Sequence, residues 1–233
     1  TNSKKNNLTS ILKINTDPKE FNDHLNLIKK YKSIYISYGL HPENVNNHTF
    51  FTKDNILLNC DNPKVIAIGE TGLDFYHSIK FKKKQYDVFE THIQASIENQ
   101  LPIIIHQRDS ENEIIEVLKS YQKKHYLPVV FHCFTGSKKL LNFCLDNNFY
   151  ISLSGIITFK NSNDLQDTFR EIPLDRLLIE TDSPFLAPIP KRGKKNEPSY
   201  IKYTLEKLSE LKEISSSKIS DMTTQNFENL FSL

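Results

Sequence analysis

Four residues able to hold a divalent metal ion close four different apolar runs of this chain. Glu70 ends VIAIGE, His106 ends PIIIH, His132 ends PVVFH and Asp182 ends LLIETD. Two imidazoles and two carboxylates form a mixed nitrogen and oxygen donor set suited to Zn, Mn, Fe or similar divalent ions. A carboxylate such as Glu70 can bridge two ions ~4 Å apart, the geometry that serves hydrolysis of phosphoesters and related bonds. Each residue also has an ordinary structural reading: a strand-end His is often a hydrogen-bonded packing residue, and Asp182 before Ser183 and Pro184 can cap a turn. Four such residues at equivalent places form a pattern that the separate structural readings do not explain.

Further polar residues lie at the same run ends. His41 follows Gly39 and Leu40 just past the second run, where it reads as a turn residue or a site residue. Gly69 and Gly72 flank Glu70, and glycine lets the backbone approach a ligand closely. Asp74 can hydrogen-bond a ligand side chain from behind or cap a loop. Arg108, two residues past His106, can hold a phosphate or form a surface ion pair. Lys191, Arg192, Lys194 and Lys195 crowd a loop after the last run, read either as a solvated loop or as a phosphate contact. Cys133 beside His132 should point the opposite way on a strand and pack in the core. His24, His48, His77, His92 and His125 fall in helices or loops and read as surface residues.

The elements that must position these groups alternate. Short β-branched apolar runs occupy 8–14, 34–40, 65–70, 102–106, 128–132, 150–154 and 177–182, and helical patterns separate them. Near-continuous apolar strands suit a parallel sheet covered on both faces, and alternating strand and helix imply right-handed crossovers. Asp17, Pro18 and Glu20 announce a helix carrying Phe21, Leu25, Ile28 and Tyr31. Ser137 can cap a helix with Leu140, Leu141 and Cys144, while Leu165, Phe169 and Ile172 form another stripe. Helical patterns over 200–214 and 217–231 close the chain. An open sheet spreads its strand ends along a line, whereas a barrel gathers them on one face, so four ligands at strand ends favour a (β/α) barrel. Seven units are one short of the usual eight.

Composition bounds the rest. The chain has 233 residues with 30 Lys+Arg against 28 Asp+Glu, which excludes a wholesale basic nucleic-acid coat but leaves room for a local patch. At 25% charged and 38% hydrophobic residues it is neither a disordered polymer nor a membrane protein, with no apolar run near the roughly 18 residues a spanning helix needs. Three cysteines at scattered spacings, without a secretory pattern at the start, point to a reducing, cytoplasmic setting.

Six motifs in one collinear order carry a family resemblance: GLHP (39–42), GETGLD (69–74), IHQRD (105–109), HCFTG (132–136), ETDSP (180–184) and RGKKNEP (192–198). From about Leu8 onward the chain resembles the TatD family of metal-dependent deoxyribonucleases, and the stretch 149–161 is similar to its YcfH-like branch. The resemblance implies an α/β fold, a (β/α) TIM barrel of the metal-dependent hydrolase type, forming a single domain over 1–233. It implies two divalent ions (Mg, Mn or Zn), with Glu70 bridging them, His106 and His132 completing the second site, and Asp182 binding the first ion and orienting or deprotonating the attacking water. His41, Arg108, Arg192 and Asn196 would lie near the scissile phosphate. The family carries an HxH at the end of its first strand, and this chain has none. The expectation is therefore that the first β/α unit is missing from this chain, leaving the first metal site incomplete. The leading function is hydrolysis of DNA, single-stranded or at strand ends, by a metal-activated water. An amidohydrolase acting on an amide or acyl ester, and an inactive remnant that only binds, are the competing readings.

Overall fold

The structure, a computed structural model, describes residues 2–48 and 50–233, with the side chain of Lys4 left out. The chain divides into two compact units, residues 9–130 and residues 131–233 with the N-terminal segment. That segment carries the short helix α1 (Asn2–Lys5).

Residues 9–130 alternate strand and helix: β1 (Ile11–Lys13), α2 (Phe21–Ile28), β2 (Ile34–Tyr38), α3 (Lys53–Cys60), β3 (Val65–Asp74), α4 (Lys82–Asn99), β4 (Ile103–Arg108) and α5 (Glu111–Gln122). The four strands lie in chain order and pair in parallel, with Ile11 opposite Ile34, Ile36 opposite Val65, and Ile68 opposite Ile103. Local chemistry starts the helices where expected. Asp17 accepts from the Lys19 N–H ahead of Pro18, and Thr52 and Asn55 cap α3 reciprocally. One face of each crossover helix is buried. Phe21 and Ile28 of α2, Ile56 and Cys60 of α3 and Ala95 of α4 share a core cluster with Ile36, Tyr38, Val65 and Ile68. Burial of each Ile or Phe contributes roughly 1.5–3 kcal/mol relative to exposure.

Within residues 9–130, two strands depart most from their sequence patterns. The run 8–14 supplies only Ile11–Lys13, whose residues are all half-buried. β3 runs four residues beyond Glu70, to Asp74, and is buried throughout. Its register against β4 shifts between Ile68 and Thr71, as at bulges near functional sites. Gly-Glu-Thr-Gly reads as a strand terminator because glycine is depleted in strands. At Gly72 (φ +133°) a Cβ would sit 2.0 Å from the His106 carbonyl oxygen, so glycine here permits the close β3–β4 approach.

β5 (Val129–Phe131) carries the chain from one unit to the other. Residues 131–233 then form α6 (Lys138–Asp146), β6 (Tyr150–Leu153), α7 (Asn163–Glu171), β7 (Leu177–Ile179), α8 (Ile201–Lys212) and α9 (Ser216–Phe231). Ser137 caps α6 through the Leu140 N–H, and β6 pairs in parallel with β7. Phe131, Phe134, Phe149 and Phe169 pack as a ring cluster with centroids 6.3–6.4 Å apart. β7 stops at Ile179, so Asp182 lies three residues past the strand rather than at its end; its φ of +54° is incompatible with continued extension. The seven expected β units are thus seven strands among the described residues, in the α/β class. No helix is long and apolar enough to cross a membrane among those residues.

Candidate metal centre

Glu70, His106 and His41 meet within residues 9–130. Gly39 lies so near β3 that a Cβ there would sit 2.4 Å from the Gly69 carbonyl carbon, and this approach sets the turn bearing His41 beside Glu70. The Glu70 side chain is buried. Its N–H donates to the carbonyl of Asn15 (3.1 Å), a fully buried residue whose own N–H donates to Ser37 Oγ. His106 lies between two carboxylates, with Nδ1 3.1 Å from Glu70 Oε1 and Nε2 2.7 Å from Asp74 Oδ2. His41 Nε2 is 3.5 Å from the same Glu70 oxygen, and the two imidazole rings pack edge to face at 4.4 Å. One ligand atom from each of the three lies within 4.8 Å of the others, a spacing that one divalent ion can fill.

The hydrogen bonds sort these three side chains by role. Buried Asp74 accepts from His106 Nε2, which turns Nδ1 and its lone pair toward Glu70 when the ring is neutral. A carboxylate behind an imidazole is the usual way to fix a metal-binding His. His41 is wired the other way. Its Nδ1 accepts from the Glu43 N–H at 3.2 Å, so the neutral ring carries its proton on Nε2, the atom facing Glu70. A ring in that tautomer donates a hydrogen bond rather than ligating a metal.

Electrostatics follow the same geometry. Burial disfavours charge on His106, but the hydrogen bonds it donates to Asp74 and Glu70 outweigh it and raise the imidazolium to about 9. Burial pushes the Asp74 carboxyl up, yet the His106 contact, the Tyr76 N–H and nearby Arg108 together hold it below the ordinary carboxylate range. A divalent ion held by Glu70 and His106 would take the place of that proton, so its affinity would rise with pH.

Arg108 is two residues beyond His106 and opposite Asp74 in the β-ladder. It is exposed, and its guanidinium lies 3.5 Å over the Tyr76 ring. His92, read from sequence as a surface residue, is instead fully buried. Its Nδ1–H donates to the Val88 carbonyl and its Nε2 accepts from Leu40 N–H, so it pins the backbone one residue before His41. Burial lowers it to about 4, so it is neutral. Its place in the apolar stripe of α4, with Val88 and Phe89, was the signal in the sequence.

Residues 131–233 hold the other expected ligands. His132 Nε2 is 3.6 Å from Asp182 Oδ1, while Nδ1 is 2.8 Å from Glu180 Oε2. Ser152 Oγ also donates to that Glu180 oxygen, and Glu180 Oε1 is buried without a hydrogen-bond partner among the described residues. Glu180 thus backs His132 as Asp74 backs His106, a role not foreseen from the sequence. Its clue was an acidic residue at the end of a buried strand, two positions before Asp182. The Cys133 thiol donates to Ser154 Oγ and is pushed up to about 12 by burial, which excludes a ready thiolate. Asn196 is buried, and its amide donates to the carbonyls of Thr181 and Phe185 at 2.7 and 2.6 Å, clamping the loop that bears Asp182. Arg192 stacks its guanidinium over Phe159 at 3.9 Å.

Residues 1–232 match the family model described as TatD related DNase. The chain is 44% identical over 238 residues to an uncharacterized metal-dependent hydrolase of Buchnera aphidicola subsp. Acyrthosiphon pisum, covering 99% of this chain and 89% of that one. It is 31% identical to the 3'-5' ssDNA/RNA exonuclease TatD of Salmonella typhimurium, over 93% of this chain and 85% of that one. The crystal structure of YjjV, a TatD homolog from Escherichia coli K12, superposes with a TM-score of 0.90 at 25% identity, covering 100% of this chain and 90% of that chain. The expected α/β, TIM-barrel-like hydrolase fold is therefore the fold of this chain.

Proposed function

The chain belongs to the TatD-related DNase family, and on that premise we propose that it is a metal-dependent hydrolase cleaving DNA phosphodiester bonds, on single strands or at strand ends. The observation that carries this reading is the Glu70–His106–Asp74 chain of contacts, a half-buried imidazole oriented between two buried carboxylates, with His41 beside it as a donor. Glu70 and His106 are the proposed ligands of residues 9–130, and His132 and Asp182 those of residues 131–233, for two divalent ions of the Mg, Mn or Zn class. Bound there, such ions lower the pKa of water and offset charge developing on the phosphate.

The chain's own groups supply the remaining work. His41 Nε2–H donates to a phosphate oxygen, since its other nitrogen is occupied by the Glu43 N–H. Arg108, exposed and without a carboxylate in ion-pair distance among the described residues, offers its in-plane N–H groups to the phosphate. Asp182 accepts the proton of the attacking water, and Glu180 keeps His132 turned toward Asp182. Arg192 holds the nucleic-acid backbone from its cationic loop, and Asn196 acts by holding the Asp182 loop in place. The three cysteines are free, in keeping with a reducing, cytoplasmic setting.

The test is release of nucleotides from end-labelled single-stranded DNA with Mn or Mg, and with EDTA as control. Metal-dependent release that falls at least a hundredfold in Asp182→Asn supports the proposal. Release unaffected by that substitution, or activity on amides and acyl esters exceeding that on DNA, overturns it.

A further inference from the structure

Tyr76 and Arg108 remain unexplained by any packing need. Tyr76 is 55% exposed, although it follows the fully buried β3 by only two residues. Among the described residues its polar tie is through the backbone, where its N–H donates to Asp74 Oδ1 at 3.0 Å. The other oxygen of Asp74 holds His106. The ring position is thus coupled through a single buried carboxylate to a candidate metal ligand. Above the ring lies the Arg108 guanidinium at 3.5 Å, and the His77 ring packs edge-on at 4.7 Å. Side chains two apart on a strand share a face, so Arg108 and His106 project to the same side of β4 about 7 Å apart along it. That is roughly the length of one sugar-phosphate unit.

An aromatic ring and a guanidinium stacked in the open make a flat cationic platform. Unpaired bases stack on such surfaces without regard to sequence, and each contact contributes enough to be seen on truncation. A surface ion pair would instead place Arg108 against a carboxylate; Asp74 feels its charge, but no carboxylate lies within ion-pair distance of it among the described residues. We infer that Tyr76 and Arg108 form a nucleobase-stacking subsite next to the Glu70–His106 cluster, which takes the unpaired base of the nucleotide adjoining the bond to be cut. The inference rests on the reading of that cluster as a nuclease site. It goes further in assigning a preference for a base-bearing single strand over a bare sugar-phosphate backbone.

The full chain is tested with a short single-stranded oligothymidylate carrying either a normal residue or an abasic tetrahydrofuran at each end in turn. Cleavage with Mn gives the ratio of kcat/KM for base-bearing over abasic substrate. The expected preference at one end is roughly 5- to 100-fold, lost in Tyr76→Ala and retained in Tyr76→Phe. In parallel, 2-aminopurine placed at that end is quenched on binding in EDTA by wild type and by Tyr76→Phe, but not by Tyr76→Ala. A ratio near one in wild type, or the same ratio and quenching in Tyr76→Ala, overturns the subsite. Failure of metal-loaded wild type to cleave either substrate refutes the nuclease reading separately, and the quenching measurement still decides whether Tyr76 stacks a base.

Discussion

Protonation of His92 should loosen the protein in a narrow acid window, and a single substitution should remove the effect. His92 is fully buried, with one nitrogen donating to Val88 and the other accepting from Leu40, so a second proton would break the Leu40 contact and place a charge in an apolar setting. Burial lowers its pKa from 6.5 to about 4. Between those values the unfolded chain binds the proton and the folded chain does not. Stability from this group is therefore whole above the unfolded value and declines as pH falls toward the folded one, by roughly 3 kcal/mol in all. From pH 7 to pH 5 the loss is about 2 kcal/mol. His106 has the opposite sign. Raised to about 9, it stabilises fully below 6.5 and loses that contribution as pH rises through 9, so it stays nearly constant below 6.5. Gln at 92 keeps an acceptor and a donor without a titrating ring. Urea unfolding of wild type and His92→Gln should show the variant weaker by roughly 1–3 kcal/mol at pH 7. That gap should shrink by about 2 kcal/mol at pH 5. Equal changes with pH in both proteins would refute the reasoning.

Three further substitutions probe the groups behind the site. Asp74→Asn removes the carboxylate that orients His106 and should weaken Mn binding roughly 10- to 100-fold, measured by calorimetric titration; an unchanged affinity would show that His106 is not held as a ligand. Glu180→Ala frees the His132 ring and should cost roughly 10- to 100-fold in nuclease activity at saturating metal, with circular dichroism confirming the fold. Asn196→Ala strips two carbonyls of their donor and should cost about 1–3 kcal/mol, seen as a fall of several degrees in Tm.

The alternation of strand and helix was legible because each strand is a β-branched run and each crossover helix carries an apolar stripe. Ile34–Tyr38 and Ile103–Arg108 formed much as their patterns indicate, and α9 (Ser216–Phe231) lies within a residue of its predicted start. What escaped was anything set by neighbours distant in the chain. β3 outruns its apolar pattern because Gly72 fits against the His106 carbonyl, a contact no local window contains. Asp182 leaves its strand early because a left-handed backbone at that residue is not signalled by the preceding apolar run. His92 looked like one histidine among several until its partners, 4 and 52 residues away, were in view. Likewise, the meeting of Glu70 and His106 was expected from type and position, but the hydrogen bond from the Glu43 N–H to His41 Nδ1, on which the proposed donor role of His41 rests, was not.

The most direct test of the account is to locate the metal itself. Anomalous diffraction from a crystal of this chain soaked in Mn should show a peak within ligand distance of Glu70 Oε1 and His106 Nδ1, and Glu70→Gln should lose that peak together with Mn-dependent cleavage of single-stranded DNA. Cleavage that persists in Glu70→Gln, or an active Mn-loaded protein with no peak at Glu70 and His106, would contradict it.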